Sequence, residues 1–301
     1  MKNLHKICFK SLIVLLLVIT LFLIFKIYFK SNNFETFNDN NYNIPKIIWT
    51  YWDSEKVPDL INQIFNNNNK ILSEWKINIL NDKNIDMYLD KTTFNTKYDS
   101  LGVTHKSDYL RLKLLEKYGG VWIDASIIFN SQNELNKLLN DSINSKSELT
   151  AFTLYDKDEK YVHHQYIESW FLMVPENSNI IKLWLTEFEN AINMGFEEYN
   201  KNIVNNTNVK IDHRIYNVDY NNTYLTVYTA LQVVLQSKIS KKTKLLLLKS
   251  EDTMYKLLSM CNFNAECVKT KFQNVNDTKK IPFIKLRGDD RHNLDLDLYF
   301  Q

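Results

Sequence analysis

Two of the chain's five glycines stand side by side, Gly119 and Gly120, and the segments that flank them constrain the fold most tightly. Before them, His105–Tyr118 (HKSDYLRLKLLEKY) carries Leu110, Leu114 and Tyr118 at i, i+4 spacing, the period of one helix face. Thr104 or Ser107 suits the cap of that helix. After the glycines, Val121, Trp122 and Ile123 form a short apolar run ended by Asp124, which reads as a buried strand. Only glycine takes positive φ without steric cost, so the pair stops the helix and turns the chain straight into that strand. Upstream, Lys46–Trp52 (KIIWTYW) reads as a strand, and Pro58 opens a helix with Leu60, Ile61 and Ile64 at helical spacing. Trp75–Leu80 alternates as a second strand. Strand, helix and strand within about 35 residues form a βαβ unit and hence a parallel sheet with a right-handed crossover. The fold class is α/β.

Further along, Ser169–Val174 reads as a strand and Asn179–Asn193 and Thr223–Ser237 as helices. Lys244–Leu248 is ambiguous. Pro282–Leu286 (PFIKL) is a last strand or an extended segment. No internal repeat is evident.

Composition narrows the function classes. Of 301 residues, 24% are charged and 45% hydrophobic, the proportions of a globular protein. Lys and Arg total 37 against 35 acidic residues, a net charge of +2. With no polycationic excess, a dedicated nucleic-acid binder is disfavoured. Three cysteines are too few for a disulfide scaffold or a Cys-rich zinc module. Cys261 and Cys267 pair in an oxidising compartment or remain two buried thiols; both readings stay open.

The N-terminus is a different kind of sequence. Residues 11–29 form a run of membrane-spanning length in which Lys26 snorkels to the headgroups. Lys2, Lys6 and Lys10 precede it, which favours a cytoplasmic N-terminus. A cleaved signal peptide is the rival reading. The expected organisation is a cytoplasmic tail (1–10), a signal-anchor helix (11–29), an Asn-rich stem (30–43) and a folded domain (44–301). The expected location is a single-pass type II membrane protein with a lumenal domain. Four N-x-S/T triplets, headed by Asn140, Asn205, Asn221 and Asn276, agree with a lumen, although an Asn-rich chain produces them by chance.

Asp108, Arg111 and Asp124 are the candidates for chemistry. Asp108 and Arg111 share a helix face, and the glycine turn brings the strand end bearing Asp124 back to the same rim. In open α/β sheets ligands sit beyond the carboxyl ends of strands. Carboxylates accept hydrogen bonds from sugar hydroxyls and bind hard cations, and a guanidinium donates a fork to oxygen acceptors. An ordinary helical ion pair beside a capping Asp would look the same from spacing alone. His163–His164 reads as a loop pair rather than a metal site. Trp122, Trp170 and Trp184 read as core. Tyr224 and Tyr228 either pack the core or line an acceptor side.

IPKIIWTYWDS (Ile44–Ser54) and HKSDYLRLKLLEKYGGVWIDASIIF (His105–Phe129) resemble the capsular polysaccharide synthesis proteins. They also resemble the wider group of glycosyltransferases with a DxD sugar-binding segment. SWFLMVPENSNIIKLW, NTYLTVYTALQ and IPFIKL are similar to later segments of that family. The resemblance implies a GT-A fold, a Rossmann-like nucleotide-diphospho-sugar transferase domain. It implies a nucleotide-diphospho-sugar donor, a glycan or glycoconjugate acceptor, and Mn²⁺ or Mg²⁺ at the pyrophosphate. By carry-over, Trp49 stacks on the nucleobase, and Asp108 and Arg111 hold sugar hydroxyls. Asp124 is the first Asp of the DxD and Ser126 stands in its third position. Ser126 removes one anionic metal ligand, and Asp289, Asp290 or His292 is expected to complete the metal set. The implied transfer retains anomeric configuration, with the leaving phosphate assisting and no dedicated nucleophile.

Three function classes remain: a metal-dependent glycosyltransferase, a catalytically inactive relative acting as a membrane-anchored carbohydrate-binding or scaffold protein, and a tethered partner-binding domain unrelated to sugars. Ser126 favours the second. The third leaves the glycine-bounded Asp124 and the Asp108/Arg111 helix unexplained.

Overall fold

The structure, a computed structural model, describes residues 42–154, 166–205, 208–212, 215, 223–239, 243–292 and 294–301. The chain divides between Asn41 and Tyr42, and the second unit is the one described. The expected anchor 11–29, most of the stem and His163–His164 lie outside the described residues. Among the described residues no helix is long and apolar enough to cross a membrane.

Strand β1 (Ile47–Tyr51), helix α1 (Asp59–Ile71, with Pro58 at its N-cap) and strand β2 (Lys76–Leu80) form the expected βαβ unit. The two strands pair in parallel, Ile47 opposite Lys76 through Tyr51 opposite Leu80. Helix α2 spans Val103–Tyr118. It begins earlier than its sequence pattern suggests, with Gly102 as N-cap and no side-chain cap. Thr104 and Ser107 therefore lie inside the helix instead of capping it, and the Ser107 hydroxyl accepts a hydrogen bond from Arg111 at 3.3 Å.

Gly119 ends α2 at φ 62°, ψ −155°, and Gly120 follows at φ 88°. Strand β3 (Gly120–Ile123) then runs parallel to β1. A three-residue strand β4 (Ile127–Phe129), helix α3 (Gln132–Ser145, capped by Ser131) and strand β5 (Leu149–Thr153) follow. Next come strand β6 (Ile167–Val174), helix α4 (Asn179–Met194, capped by Ser178) and helix α5 (Phe196–Val204). Helix α6 is Thr226–Ser237 and strand β7 is Leu245–Lys249. Helix α7 (Ala265–Gln273) and strand β8 (Phe283–Lys285) complete the framework. Cys261 and Cys267 form a disulfide, with Cα atoms 5.5 Å apart, which closes the alternative left open by sequence.

The sheet order is β2-β1-β3-β6-β5-β7. It is mixed: β6 is antiparallel to β3 and β5, and β7 is parallel to β5. Alternate residues of each strand face opposite sides, and the packing follows. Ile48, Val121, Ile123, Phe171 and Met173 join one core with α1, α3 and α7. Trp49, Trp122, Leu172 and Val174 join the other with α2, α4 and α6. The domain is thus three layers, helices on both faces of one sheet. A second, two-stranded sheet pairs β4 with β8 antiparallel, Ile127 opposite Lys285 and Phe129 opposite Phe283.

Candidate active site

The parallel strands β1 and β3 end at the same rim. There Tyr51, Trp52 and Asp53 from the end of β1, and Asp124 from the end of β3, border a cleft of about 480 Å³. This is the ligand position expected of an open α/β sheet. Asp108 and Arg111 of α2 line the same cleft. Arg111 Nη2 stands 3.2 Å from Asp108 Oδ1 and 3.5 Å from Asp124 Oδ1. The three residues singled out from spacing therefore form one cluster, with the guanidinium bridging two carboxylates.

Arg111 is held rigidly. It is buried, donates from Nη1 to the Ser169 carbonyl at 2.9 Å and to the Ser169 hydroxyl, and lies 5.2 Å over the Trp122 ring. Its positive charge offsets the cost of sinking Asp108 into the fold. Asp108 Oδ2 is buried and accepts no hydrogen bond, with His105 Nδ1 3.5 Å away. A buried carboxylate oxygen without a donor is costly unless a ligand supplies one. Asp124 is the accessible member, its side chain 31% exposed.

Two assignments from the resemblance need correction. Trp49 does not reach the cleft. It is buried between Tyr88 and Tyr118, and its indole Nε1 donates to the Gly119 carbonyl at 3.1 Å. The pleat turns position 49 into the helix-covered core; Trp52, three residues on and past the strand end, is one of the aromatics that line the cleft. His292 is exposed and lies outside the residues lining the cleft, as do Asp289 and Asp290. Asp290 is buried in an ion pair with Arg287, 2.8 Å from its Nη2.

The structure adds residues that the sequence reading passed over. Lys285 lies buried beside Asp124, its ammonium 3.4 Å from Asp124 Oδ2 and 2.8 Å from the Ser126 hydroxyl. The β4/β8 register places it there, since Lys285 pairs with Ile127, the neighbour of Ser126. Burial pushes its pKa below the ordinary lysine range, and Asp124 opposes that shift. Arg287 and Arg291 also line the cleft. Glu168 is a second buried acid at this wall, within 3.2 Å of the Tyr228 hydroxyl. Burial raises its carboxyl to about 7, against the lowering effects of Tyr228 and Lys285. One signal was available for both residues: a lone charge inside an otherwise apolar strand, IESWFLMV and PFIKL.

Glu168 gives a pH-dependent stability. Its carboxyl holds a proton more tightly in the folded chain than in the unfolded one. The stabilisation is therefore complete below the ordinary value near 4.5 and is lost as pH rises through about 7. The expected loss is at most about 3 kcal/mol. Urea unfolding at about pH 5 and about pH 8 should show this fall in the wild type and a much smaller one in Glu168→Gln. Equal falls in both proteins would exclude Glu168 as the cause.

The residues fit a divalent ion poorly. Of the expected ligands, Asp124 has each carboxylate oxygen beside a cation, Arg111 or Lys285. The Ser126 hydroxyl donates to the Leu286 carbonyl at 2.9 Å and accepts from Lys285. Among the described residues no group of three His, Cys, Asp or Glu side chains stands ready to hold a metal.

Residues 18–295 match the family described as capsular polysaccharide synthesis protein. The chain belongs to that family. Membership bears out the resemblance read from Ile44–Ser54 and His105–Phe129, and with it the assignment of this capsular polysaccharide synthesis protein as a glycosyltransferase. No curated protein matches in sequence. Solved structures similar to this family member include a glycosyltransferase involved in the glycosylation of the major capsid of PBCV-1. Its TM-score is 0.41 at 10% identity, covering 82% of this chain and 97% of that one. The galactosyltransferase LgtC, in complex with donor and acceptor sugar analogues, has a TM-score of 0.40 at 12% identity, covering 80% and 87%. The catalytic domain of alpha-toxin from Clostridium novyi has a TM-score of 0.38 at 11% identity, covering 69% and 71%. Likeness at this level carries no argument about chemistry. The mixed α/β sheet fits the GT-A expectation.

Proposed function

We propose that this family member is a GT-A enzyme that transfers a sugar from a nucleotide-diphospho-sugar to a glycan acceptor. The observation that carries the reading is the Asp108–Arg111–Asp124 cluster at the rim where β1 and β3 end, opening on a cleft of small-ligand size. Asp108 offers sugar hydroxyls a buried carboxylate oxygen that lacks a donor. Asp124 faces the cleft, and its negative charge suits the oxocarbenium-like sugar of the transition state. Arg291 supplies positive charge for a diphosphate, and Trp52 offers an aromatic face for a base. Retention of anomeric configuration belongs to the same reading and rests on the family resemblance alone; proton NMR of the first product anomer tests it. The apolar run 11–29, in which Lys26 is the one charge, supports a type II membrane anchor.

A panel of UDP- and GDP-sugars, with and without Mn²⁺, tests the proposal on the full-length protein. A true donor at a hundredfold excess over its Kd stabilises the fold by about 2.7 kcal/mol, raising the melting temperature, and releases nucleoside diphosphate slowly by hydrolysis. If no member of the panel stabilises the protein or turns over under either condition, the proposal fails. Binding without turnover would favour the inactive carbohydrate-binding relative, the reading that Ser126 supports.

A further inference from the structure

We infer that the Lys285 ammonium occupies the position of the catalytic divalent cation, so that sugar transfer by this chain proceeds without a metal. The inference rests on the proposed nucleotide-sugar reading and concerns which positive charge serves the diphosphate. An ammonium has three donors and no acceptor. Here it meets three oxygens: the Ser126 hydroxyl at 2.8 Å, the Leu286 carbonyl at 3.1 Å and Asp124 Oδ2 at 3.4 Å. These include the first and third positions of the motif that would otherwise ligate the metal. A divalent ion bound between Asp124 and Ser126 would have to displace this amine.

The serine in the motif then has a physical reason. A second carboxylate would add a negative charge that suits a divalent ion better than a monovalent one. A hydroxyl accepts from the amine while donating its own hydrogen bond to the Leu286 carbonyl at 2.9 Å. Strand pairing fixes the amine in place, because Lys285 and Ile127 are register partners and the Leu286 amide donates to the Ser126 carbonyl at 3.1 Å. Lys285 also lines the cleft wall with Arg287 and Arg291. In the transfer, the bond from the sugar C1 to the diphosphate oxygen breaks and its electron pair goes to that oxygen. The acceptor hydroxyl oxygen bonds to C1, and its proton passes to the departing diphosphate. Lys285 neutralises the charge that grows on the diphosphate, a task that preorganised cations perform in a site shielded from water.

Three measurements on the full-length protein decide the matter. Release of UDP or GDP from the donor panel is followed in EDTA and again with Mn²⁺ added. Binding of UDP and GDP is measured by calorimetry under the same two conditions. Both are repeated for Lys285→Met and Lys285→Arg, with thermal midpoints confirming the fold. The expected result is wild-type release within about twofold between EDTA and Mn²⁺. Lys285→Met should lose about 10²- to 10³-fold and Lys285→Arg retain a larger share, with UDP or GDP affinity in EDTA falling in the same order. Release that EDTA abolishes and Mn²⁺ restores in the wild type overturns the inference while leaving the glycosyltransferase reading intact. Absence of release and binding under every condition overturns both. If Lys285→Met does not fold, the wild-type comparison decides alone.

Discussion

Asp124→Asn is expected to lower nucleoside diphosphate release by about 10³-fold with little change in fold. Asp124 touches both buried cations of the cleft, Arg111 through Oδ1 and Lys285 through Oδ2. The Trp122 indole donates to the same Oδ1 at 3.3 Å. Asparagine keeps the shape but replaces one acceptor with an NH₂ donor. If Oδ1 keeps facing Arg111 and Trp122, that NH₂ meets the Lys285 ammonium, donor against donor. Lys285 then loses one of its three oxygen partners, and the negative charge proposed to face the sugar is lost as well. The side chain is partly exposed, so stability suffers far less than turnover. Initial rates for wild type and variant at matched melting temperatures measure the effect; a variant within tenfold of wild type would remove Asp124 from the chemistry.

Gly120→Ala is expected to destabilise the fold by roughly 2 to 6 kcal/mol, strained backbone and overpacking each costing about 1–3. Gly120 has φ 88°, where an L side chain is strained, and a Cβ there would sit 2.6 Å from the Ile47 carbonyl oxygen. That oxygen belongs to β1 and cannot move without disturbing the pairing of β1 with β2 and β3. Gly119 is nearly as confined, its added Cβ 2.8 Å from the Glu176 amide nitrogen. Two contrasts isolate the cause. Gly195 has φ 94° but open space around it, so Gly195→Ala should cost only the backbone strain, about 1–3 kcal/mol. Gly102 has neither constraint, and Gly102→Ala should cost only the poorer N-cap, about 1 kcal/mol or less. Urea midpoints for the three variants should fall in that order. A Gly120→Ala protein as stable as Gly102→Ala would mean that β3 does not approach β1 as described.

Much of the framework was legible because local periodicity and tertiary packing agree in it. KIIWTYW, the Pro58 helix and WKINIL are apolar on the faces they bury, so pattern and fold coincide. The helix start was misread because Gly102 caps α2 with backbone alone, which leaves no side-chain signature. Trp49 was misassigned because the resemblance indicates an aromatic but not the face to which the pleat directs it. Trp52 escaped notice because its role depends on where β1 stops relative to β3.

The sequence by itself determined the helix–glycine–strand turn, and with it the approach of Asp108, Arg111 and Asp124, since all three lie within 17 positions on one continuous hairpin-like path. It also determined the family, because the motif is local and contiguous. Only the tertiary structure decided what surrounds Asp124. Lys285 is 161 positions away from it and arrives through a two-stranded pairing of three residues each, too short for any period to announce. A charge in an apolar strand marks itself as unusual, but its partner is chosen by strand register across the fold. Which cation stands beside Asp124 is therefore a property of long-range pairing and not of any motif.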